Sequence, residues 1–159
     1  MTAIHTLLVE DEGPKLAHIR RFMRESFSNV SVSDARSVST ALDAIDEEVF
    51  DLLLLDMSLP TFEVGHGEHG GRPQGFGGIE ILRHISMAGL VLPTIVLTGY
   101  EAFPDEAGTL IDLNTLRSRM TEEFPDTVVA VVHFNSSLDD WKVSLRPIIE
   151  RIIRGGTIA

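Results

Sequence analysis

The most uniformly apolar stretch of the chain is a short run that ends in a carboxylate. In the segment FDLLLLDMSLP, residues 52–55 are all leucine and Asp56 follows. Such a run is typical of a strand that helices cover on both faces of a parallel sheet. A buried helix is the alternative, but the run is short and Pro60 follows soon after, which favours a strand. Ligands gather beyond the carboxyl ends of such strands, so Asp56 is either a reactive carboxylate or only a loop cap.

Strand-like and helix-like segments alternate along the rest of the chain. The predicted strands cover residues 4–9, 29–33, 51–56, 92–97 and 127–134. Apolar positions spaced by three and four predict helices over residues 16–27, 38–45, 79–85, 107–124 and 138–152. This alternation predicts an α/β fold, a doubly wound five-stranded parallel sheet with helices on both faces.

Two stretches interrupt this pattern. Residues 61–78 hold seven glycines in eighteen positions, which predicts an insertion without a packed element. The fourth helix is predicted to be extended, over about 105–124, and Pro125 ends it. With no internal repeat and no dividing linker, we interpret residues 1–159 as a single domain. Because the sequence ends soon after the fifth helix, we expect no DNA-binding or enzymatic output domain.

Composition excludes several kinds of function. The net charge of −11, from 13 basic and 24 acidic residues, argues against nucleic-acid binding. The absence of cysteine excludes disulfides, zinc–thiolate sites and thiol catalysis. No signal peptide and no apolar run of about 18 residues is found, so we expect a cytoplasmic protein without membrane contact.

Polar side chains follow three of the predicted strands. Glu10 and Asp11 close the first strand, Asp56 closes the third, and Thr98 follows the fourth with a hydroxyl. If the strand order is 2-1-3-4-5, the first and third strands are neighbours and the three carboxylates converge. Like charges this close raise one another's pKa, and a hard divalent cation such as Mg²⁺ relieves the conflict.

Four motifs in order, LLVEDE, LLLLDMSLP, GGIEILRHI and PTIVLTGY, resemble the receiver domain of bacterial two-component response regulators, a flavodoxin-like fold. The resemblance implies a phosphorelay in which a histidine kinase or histidine phosphotransfer protein donates a phosphoryl group to Asp56. It implies Mg²⁺ bound by Glu10, Asp11, Asp56 and the main-chain carbonyl of Ser58. It makes Thr98 the switch hydroxyl that engages the phosphoryl group.

Two parts of the family pattern are missing. Receivers carry a lysine after the fifth strand, and here the matching position falls on His133 or Phe134, with no lysine until Lys142. The switch aromatic, three residues upstream, would fall on Ala130 or Val131. The metal and acceptor residues are therefore retained, whereas the residues that couple phosphorylation to a response are not.

Four further side chains are candidates for chemistry. His66 and His69 have an H-x-x-H spacing that a transition metal could use, although solvated histidines are the plainer interpretation. Arg72 could reach the phosphoryl group in place of the missing lysine, and Tyr100 could serve as a displaced switch aromatic. A solvated loop arginine and a packed tyrosine are the alternatives.

We interpret the chain as an atypical, stand-alone receiver rather than an enzyme, with at most self-catalysed phosphorylation and dephosphorylation. It would change its affinity for a downstream protein partner, and a homodimer is an open alternative. One rival is a pseudo-receiver that binds partners constitutively. The other is an aspartate-nucleophile phosphohydrolase of the haloacid dehalogenase type, which requires a second aspartate where this chain has Ser58.

Overall fold

Five parallel strands form the central sheet, as the alternation along the sequence predicts. The computed structural model describes residues 3–62, 77–99, 102–104, 107–135 and 137–155. The strands are β1 (Ile4–Val9), β2 (Val30–Ala35), β3 (Leu52–Leu55), β4 (Thr94–Thr98), β5 (Ala102–Pro104), β6 (Leu110–Asp112) and β7 (Val128–His133). The large sheet has the order β2-β1-β3-β4-β7, with every pair parallel. Because β7 is its fifth strand, the predicted order 2-1-3-4-5 and the doubly wound class are confirmed.

The register of the sheet brings the carboxyl ends of its central strands to one edge. Val9 at the end of β1 pairs with Leu55 at the end of β3, and Leu55 pairs in turn with Val96 of β4. All four residues of β3 are fully buried, because helices cover both faces of the sheet. Residues that follow β1, β3 and β4 are therefore neighbours in space.

Five helices flank the sheet. They are α1 (Gly13–Ser26), α2 (Val38–Glu47), α3 (Gly77–Met87), α4 (Leu113–Glu123) and α5 (Asp140–Ile153). One apolar core lies between the sheet and α2, α3 and α4, and a second lies between the sheet and α1 and α5. Within the described part of the chain, no helix combines the length and the apolar character that crossing a membrane requires.

Aromatic rings fill the core beneath α1 and α5. Trp141 of α5 lies 4.9 Å from the ring of Phe134 and 5.2 Å from the ring of Phe22, centroid to centroid. Phe134 follows β7 directly and is buried. The residue after the last strand therefore joins the core of α1 and α5.

The prediction of an extended fourth helix over 105–124 is wrong. Strands β5 and β6 pair as an antiparallel hairpin, and α4 begins only at Leu113. Asp112 ends the hairpin and caps the helix, since its side chain accepts a hydrogen bond of 2.7 Å from the backbone N–H of Thr115. Leu110, which falls inside the helix predicted over 107–124, is 72% exposed, whereas Leu116 is buried.

The predicted glycine-rich insertion falls almost entirely outside the described residues. Residues 63–76 are not described, so the absence of a packed element there stays a prediction. The structure resumes at Gly77, where α3 begins.

Candidate functional site

Three carboxylates meet where β1 and β3 end. Glu10 and Asp11 follow β1 and Asp56 follows β3, and one oxygen of each lies within 4.8 Å of the others. Backbone hydrogen bonds fix their positions: Glu10 N–H donates to Ala35 at 3.0 Å, and Asp56 N–H donates to Val9 at 3.0 Å. Glu10 is 1% exposed and Asp56 is 4% exposed, whereas Asp11 is the most exposed of the three. The predicted convergence of the three carboxylates is therefore present in the structure.

A lysine that the sequence analysis did not assign lies inside this cluster. Lys15, in the first turn of α1, is 4% exposed. Its Nζ lies 2.5 Å from Oε1 of Glu10 and 3.4 Å from Oδ1 of Asp56, and it donates a 2.8 Å hydrogen bond to the carbonyl of Leu97. No lysine follows β7 before Lys142, as the sequence analysis states, but α1 brings a different lysine to the cluster.

Helical phase explains how Lys15 reaches the site. Lys15 lies four residues before Ile19 and seven before Phe22, so it belongs to the buried stripe of α1. A charged residue on such a stripe, three residues after the acidic segment EDE, is the sequence signal for this contact. The stripe turns towards the sheet and brings the ammonium over the end of β4.

Burial shapes the electrostatics of the cluster. The pKa of Glu10 is raised to about 7: burial is the largest cause and the charge of Asp56 adds to it, whereas Lys15 and the backbone N–H of Glu12 oppose the rise. Burial also raises the pKa of Asp56, where Lys15 opposes the rise and Asp11 adds to it. One lysine therefore does not compensate the negative charge of three carboxylates, and the cluster favours a further cation.

The side chains present fit a hard divalent cation. Oε1 of Glu10 and Oδ1 of Asp56 are buried and accept no well-aligned hydrogen bond from the described residues, although the Lys15 ammonium lies beside them. Carboxylate and carbonyl oxygens are the ligands that Mg²⁺ prefers. Asp11 completes the carboxylate set, and Ser58, half-buried in the loop after β3, follows Asp56 by two residues.

Thr98 lies at the same edge of the sheet. It ends β4, is completely buried, and pairs in register with His133 of β7. Its carbonyl accepts a 2.7 Å hydrogen bond from the backbone N–H of Phe134. This bond fixes the segment after β7 to the end of β4, next to the strand that carries Asp56.

The position after β7 holds an aromatic ring instead of a cation. Phe134 is one of the two positions considered for the family lysine, and Lys15 Nζ lies 5.6 Å from the centre of its ring. Val131, considered for the switch aromatic, is buried against the core of α2, α3 and α4. Helix α1 therefore brings the lysine of this cluster, and the ring of Phe134 lies beside its ammonium.

Two glycines let α3 approach the segment that follows β3. A Cβ on Gly78 would lie 2.7 Å from the carbonyl oxygen of Asp56, and one on Gly77 would lie 2.9 Å from that of Leu59. Gly78 N–H donates a 2.9 Å hydrogen bond to the carbonyl of Met57. The start of α3 thus holds the backbone that carries Asp56. The candidates His66, His69, Arg72 and Tyr100 lie outside the described residues.

Similar proteins support one fold. No family model matches the chain. The Detocs response regulatory protein DtcB of Enterobacter cloacae (strain JD6301) is 24% identical over 141 residues, which cover 87% of this chain and 93% of that protein. The structure of the phosphorylated cyanobacterial phytochrome response regulator RcpA has a TM-score of 0.68 at 18% identity, with 99% of both chains covered.

A longer response regulator gives the same result. The Salmonella typhimurium response regulator RcsB has a TM-score of 0.66 at 16% identity, covering all of this chain, which spans 64% of the RcsB chain. At these identities the solved structures establish the fold. The resemblance to response-regulator receiver domains is therefore confirmed, and the chain has the receiver fold.

Proposed function

We propose that the chain is a phosphoacceptor signalling protein that takes a phosphoryl group on Asp56. The observation that carries the proposal is the placement of Asp56. It is a buried carboxylate directly after the central strand, with Glu10 and Asp11 beside it and an ammonium 3.4 Å away. A structural carboxylate at this point would not need two further acidic side chains, which raise the free energy of the folded state unless a cation joins them.

The chemistry is a single substitution at phosphorus. A carboxylate oxygen of Asp56 forms a bond to phosphorus, and the bond from phosphorus to the donor atom breaks, with its electron pair leaving on the donor. Glu10, Asp11, Asp56 and the carbonyl of Ser58 would hold Mg²⁺. When bound, this ion supplies positive charge to the phosphoryl oxygens. Burial keeps water away from the Asp56 carboxylate, which strengthens its interactions with nearby charges.

The proposed donor is a phosphohistidine of a kinase or of a phosphotransfer protein, met in the cytoplasm. A response regulatory protein among the relatives and a phosphorylated response regulator among the solved structures support this proposal. The output would be a changed affinity for a protein partner. Binding to nucleic acid is disfavoured by the net charge of −11.

The test is phosphorylation by a small donor. With acetyl phosphate and Mg²⁺, intact mass should show one added phosphoryl group on the wild type and none on Asp56→Asn. Asp51→Asn is the matched control, because Asp51 is an exposed carboxylate just before the same strand. Modification that persists in Asp56→Asn would assign the reaction to another residue.

A pseudo-receiver that binds its partner constitutively is the second candidate. The observation that favours it is the 2.5 Å approach of Lys15 Nζ to Glu10, since the acidic cluster already contains a cation. A wild type that binds Mg²⁺ but gains no mass with acetyl phosphate would support this alternative.

A further inference from the structure

We propose that Lys15 binds the phosphoryl group on Asp56, so that the phosphate-binding cation of this protein comes from α1. The inference rests on the proposed function and assigns a residue to it. Lys15 and Lys142 are the two lysines of the chain. Lys142 is 38% exposed at its side chain and pairs with Asp139 at 3.2 Å, so it is bound elsewhere.

The contacts of Lys15 match those of a phosphate-binding group. An ammonium has three N–H donors. One is fixed on the carbonyl of Leu97 at 2.8 Å, and Nζ also lies 2.5 Å from Glu10 and 3.4 Å from Asp56. The distance to Asp56 is longer than a hydrogen bond, so the ammonium faces the acceptor without a strong bond to it. Phosphoryl oxygens added to this carboxylate are better acceptors for the same ammonium.

The surroundings keep the ammonium in this position. Lys15 is 4% exposed, so its ammonium is surrounded by protein. If the ammonium moved away from Glu10, Asp56 and Leu97, a buried positive charge would be left without a partner, which is energetically costly. The ring of Phe134, 5.6 Å from Nζ, lies beneath it and interacts favourably with a cation. The same ring belongs to one of the two positions that match the lysine of other receivers. These contacts make Lys15 part of the acceptor site rather than a surface lysine.

This arrangement has opposite effects on the two ligands of the site. The positive charge of Lys15 lies beside Glu10 and Asp56, so it opposes Mg²⁺ at the same oxygens. The same charge attracts the anionic phosphoryl group. Removing the charge of Lys15 should therefore raise the affinity for Mg²⁺ and lower the affinity for the phosphoryl group. If Lys15 had only a structural role, its removal would not change the two affinities in opposite directions.

The experiment compares Lys15→Met with the matched control Lys142→Met. Beryllofluoride, a phosphoryl mimic, is titrated at saturating Mg²⁺, and Mg²⁺ is titrated alone, both followed by NMR. The affinity of Lys15→Met for the mimic should fall about 10- to 100-fold, the loss expected for a charge-assisted hydrogen bond. Its affinity for Mg²⁺ should be unchanged or higher. Lys142→Met should match the wild type in both titrations.

A second measurement does not depend on the Met variant being folded. With lysine as the only labelled residue type, the wild type gives two side-chain signals, and Lys15→Arg assigns them. The Lys15 signal should move with the mimic while the Lys142 signal stays in place. Lys15→Arg keeps the charge and should retain mimic binding to within about tenfold of the wild type.

Three results would overturn the proposal. If Lys15→Met binds the mimic as tightly as the wild type, or the Lys15 signal does not move, Lys15 is not the phosphoryl ligand and phosphorylation of Asp56 stands. If a folded Lys15→Met loses Mg²⁺ and mimic together, its role is structural. If the wild type itself binds no mimic at saturating Mg²⁺, the proposed function fails together with this inference.

Discussion

The Lys15 ammonium in α1 donates a hydrogen bond to the Leu97 carbonyl of β4, over 2.8 Å. Leu97 directly precedes Thr98, so the contact joins the first turn of α1 to the end of the strand that carries the predicted switch hydroxyl. The sheet and the helix are thus connected beside the carboxylate cluster by a buried charge. The contribution of this charge to stability and to ligand binding can be measured on the isolated protein, without its kinase or its downstream partner.

Removing this charge should destabilise the protein, and Mg²⁺ should reverse part of the loss. Lys15→Met leaves Glu10 and Asp56 buried without their counter-charge, so we expect the free energy of unfolding to fall by about 2 to 4 kcal/mol. Lys142→Met, at an exposed pair, should change it by no more than about 0.5 kcal/mol. Urea unfolding with and without Mg²⁺ measures both. Equal stability of the two variants would contradict the buried pairing.

The stability of the metal-free protein should depend on the ionisation of Glu10. Its pKa in the folded protein, about 7, lies above the ordinary value of 4.5. The folded state therefore binds more protons between these values, and the free energy of unfolding decreases as pH rises from about 4.5 to 7. The decrease should be about 1 to 3 kcal/mol. Glu10→Gln should reduce it and leave the part that comes from the raised pKa of Asp56. Denaturant unfolding across this range, compared between the two proteins, tests the sign.

Mg²⁺ binding should require Asp11. The site offers Mg²⁺ three carboxylates, and losing one of them should weaken binding at least about tenfold in Asp11→Asn. The variant should remain folded, because Asp11 raises the pKa of Asp56 and its removal relieves repulsion. Glu12→Gln, at an exposed neighbour outside the trio, is the control. An NMR titration measures both, and unchanged affinity in Asp11→Asn would remove the trio as the metal site.

A methyl group at the start of α3 should disturb the acceptor segment. In Gly78→Ala the new Cβ would lie 2.7 Å from the carbonyl oxygen of Asp56, so backbone must move. We expect a loss of about 1 to 3 kcal/mol in the free energy of unfolding, together with shifted NMR signals around Asp56. Gly13→Ala, where the nearest atom outside the local chain is 3.8 Å away, should be neutral or slightly stabilising. Thermal or urea unfolding compares them.

Local sequence patterns were sufficient to predict the sheet and the carboxylate cluster. All four residues of β3 are leucine, so both faces of this strand must be buried, as in a parallel sheet with helices on both sides. Parallel strands then bring Glu10 and Asp56 to the same edge of the sheet. The hairpin β5–β6 was missed because Leu110 and Leu116 share a helical spacing with their neighbours. The periodicity of apolar residues does not show that Asp112 is the N-cap of a helix that begins only at Leu113. Each strand of this hairpin is only three residues long, and its stability comes from pairing with the other strand. The sequence of either strand alone therefore does not indicate a β-strand.

Lys15 was missed for a different reason. A receiver carries its lysine after β7, but the residues of a site need only be close in space, not in sequence. Helical phase places Lys15 on the stripe that contains Ile19, and only the packing of α1 on the sheet shows where that stripe meets β4. The sequence shows that Lys15 falls on a buried face of its helix. It does not show which groups of the sheet the ammonium will contact.

The aromatic core beneath α1 gives the acceptor site an optical reporter of its own. Trp141 is the single tryptophan of the chain, and its ring lies 4.9 Å from that of Phe134, which in turn lies 5.6 Å from the Lys15 ammonium. A change of charge at Asp56 is therefore separated from the indole by two side chains. We expect the emission of the unlabelled protein to follow occupancy of the site, so that its kinetics can be recorded by stopped-flow fluorescence.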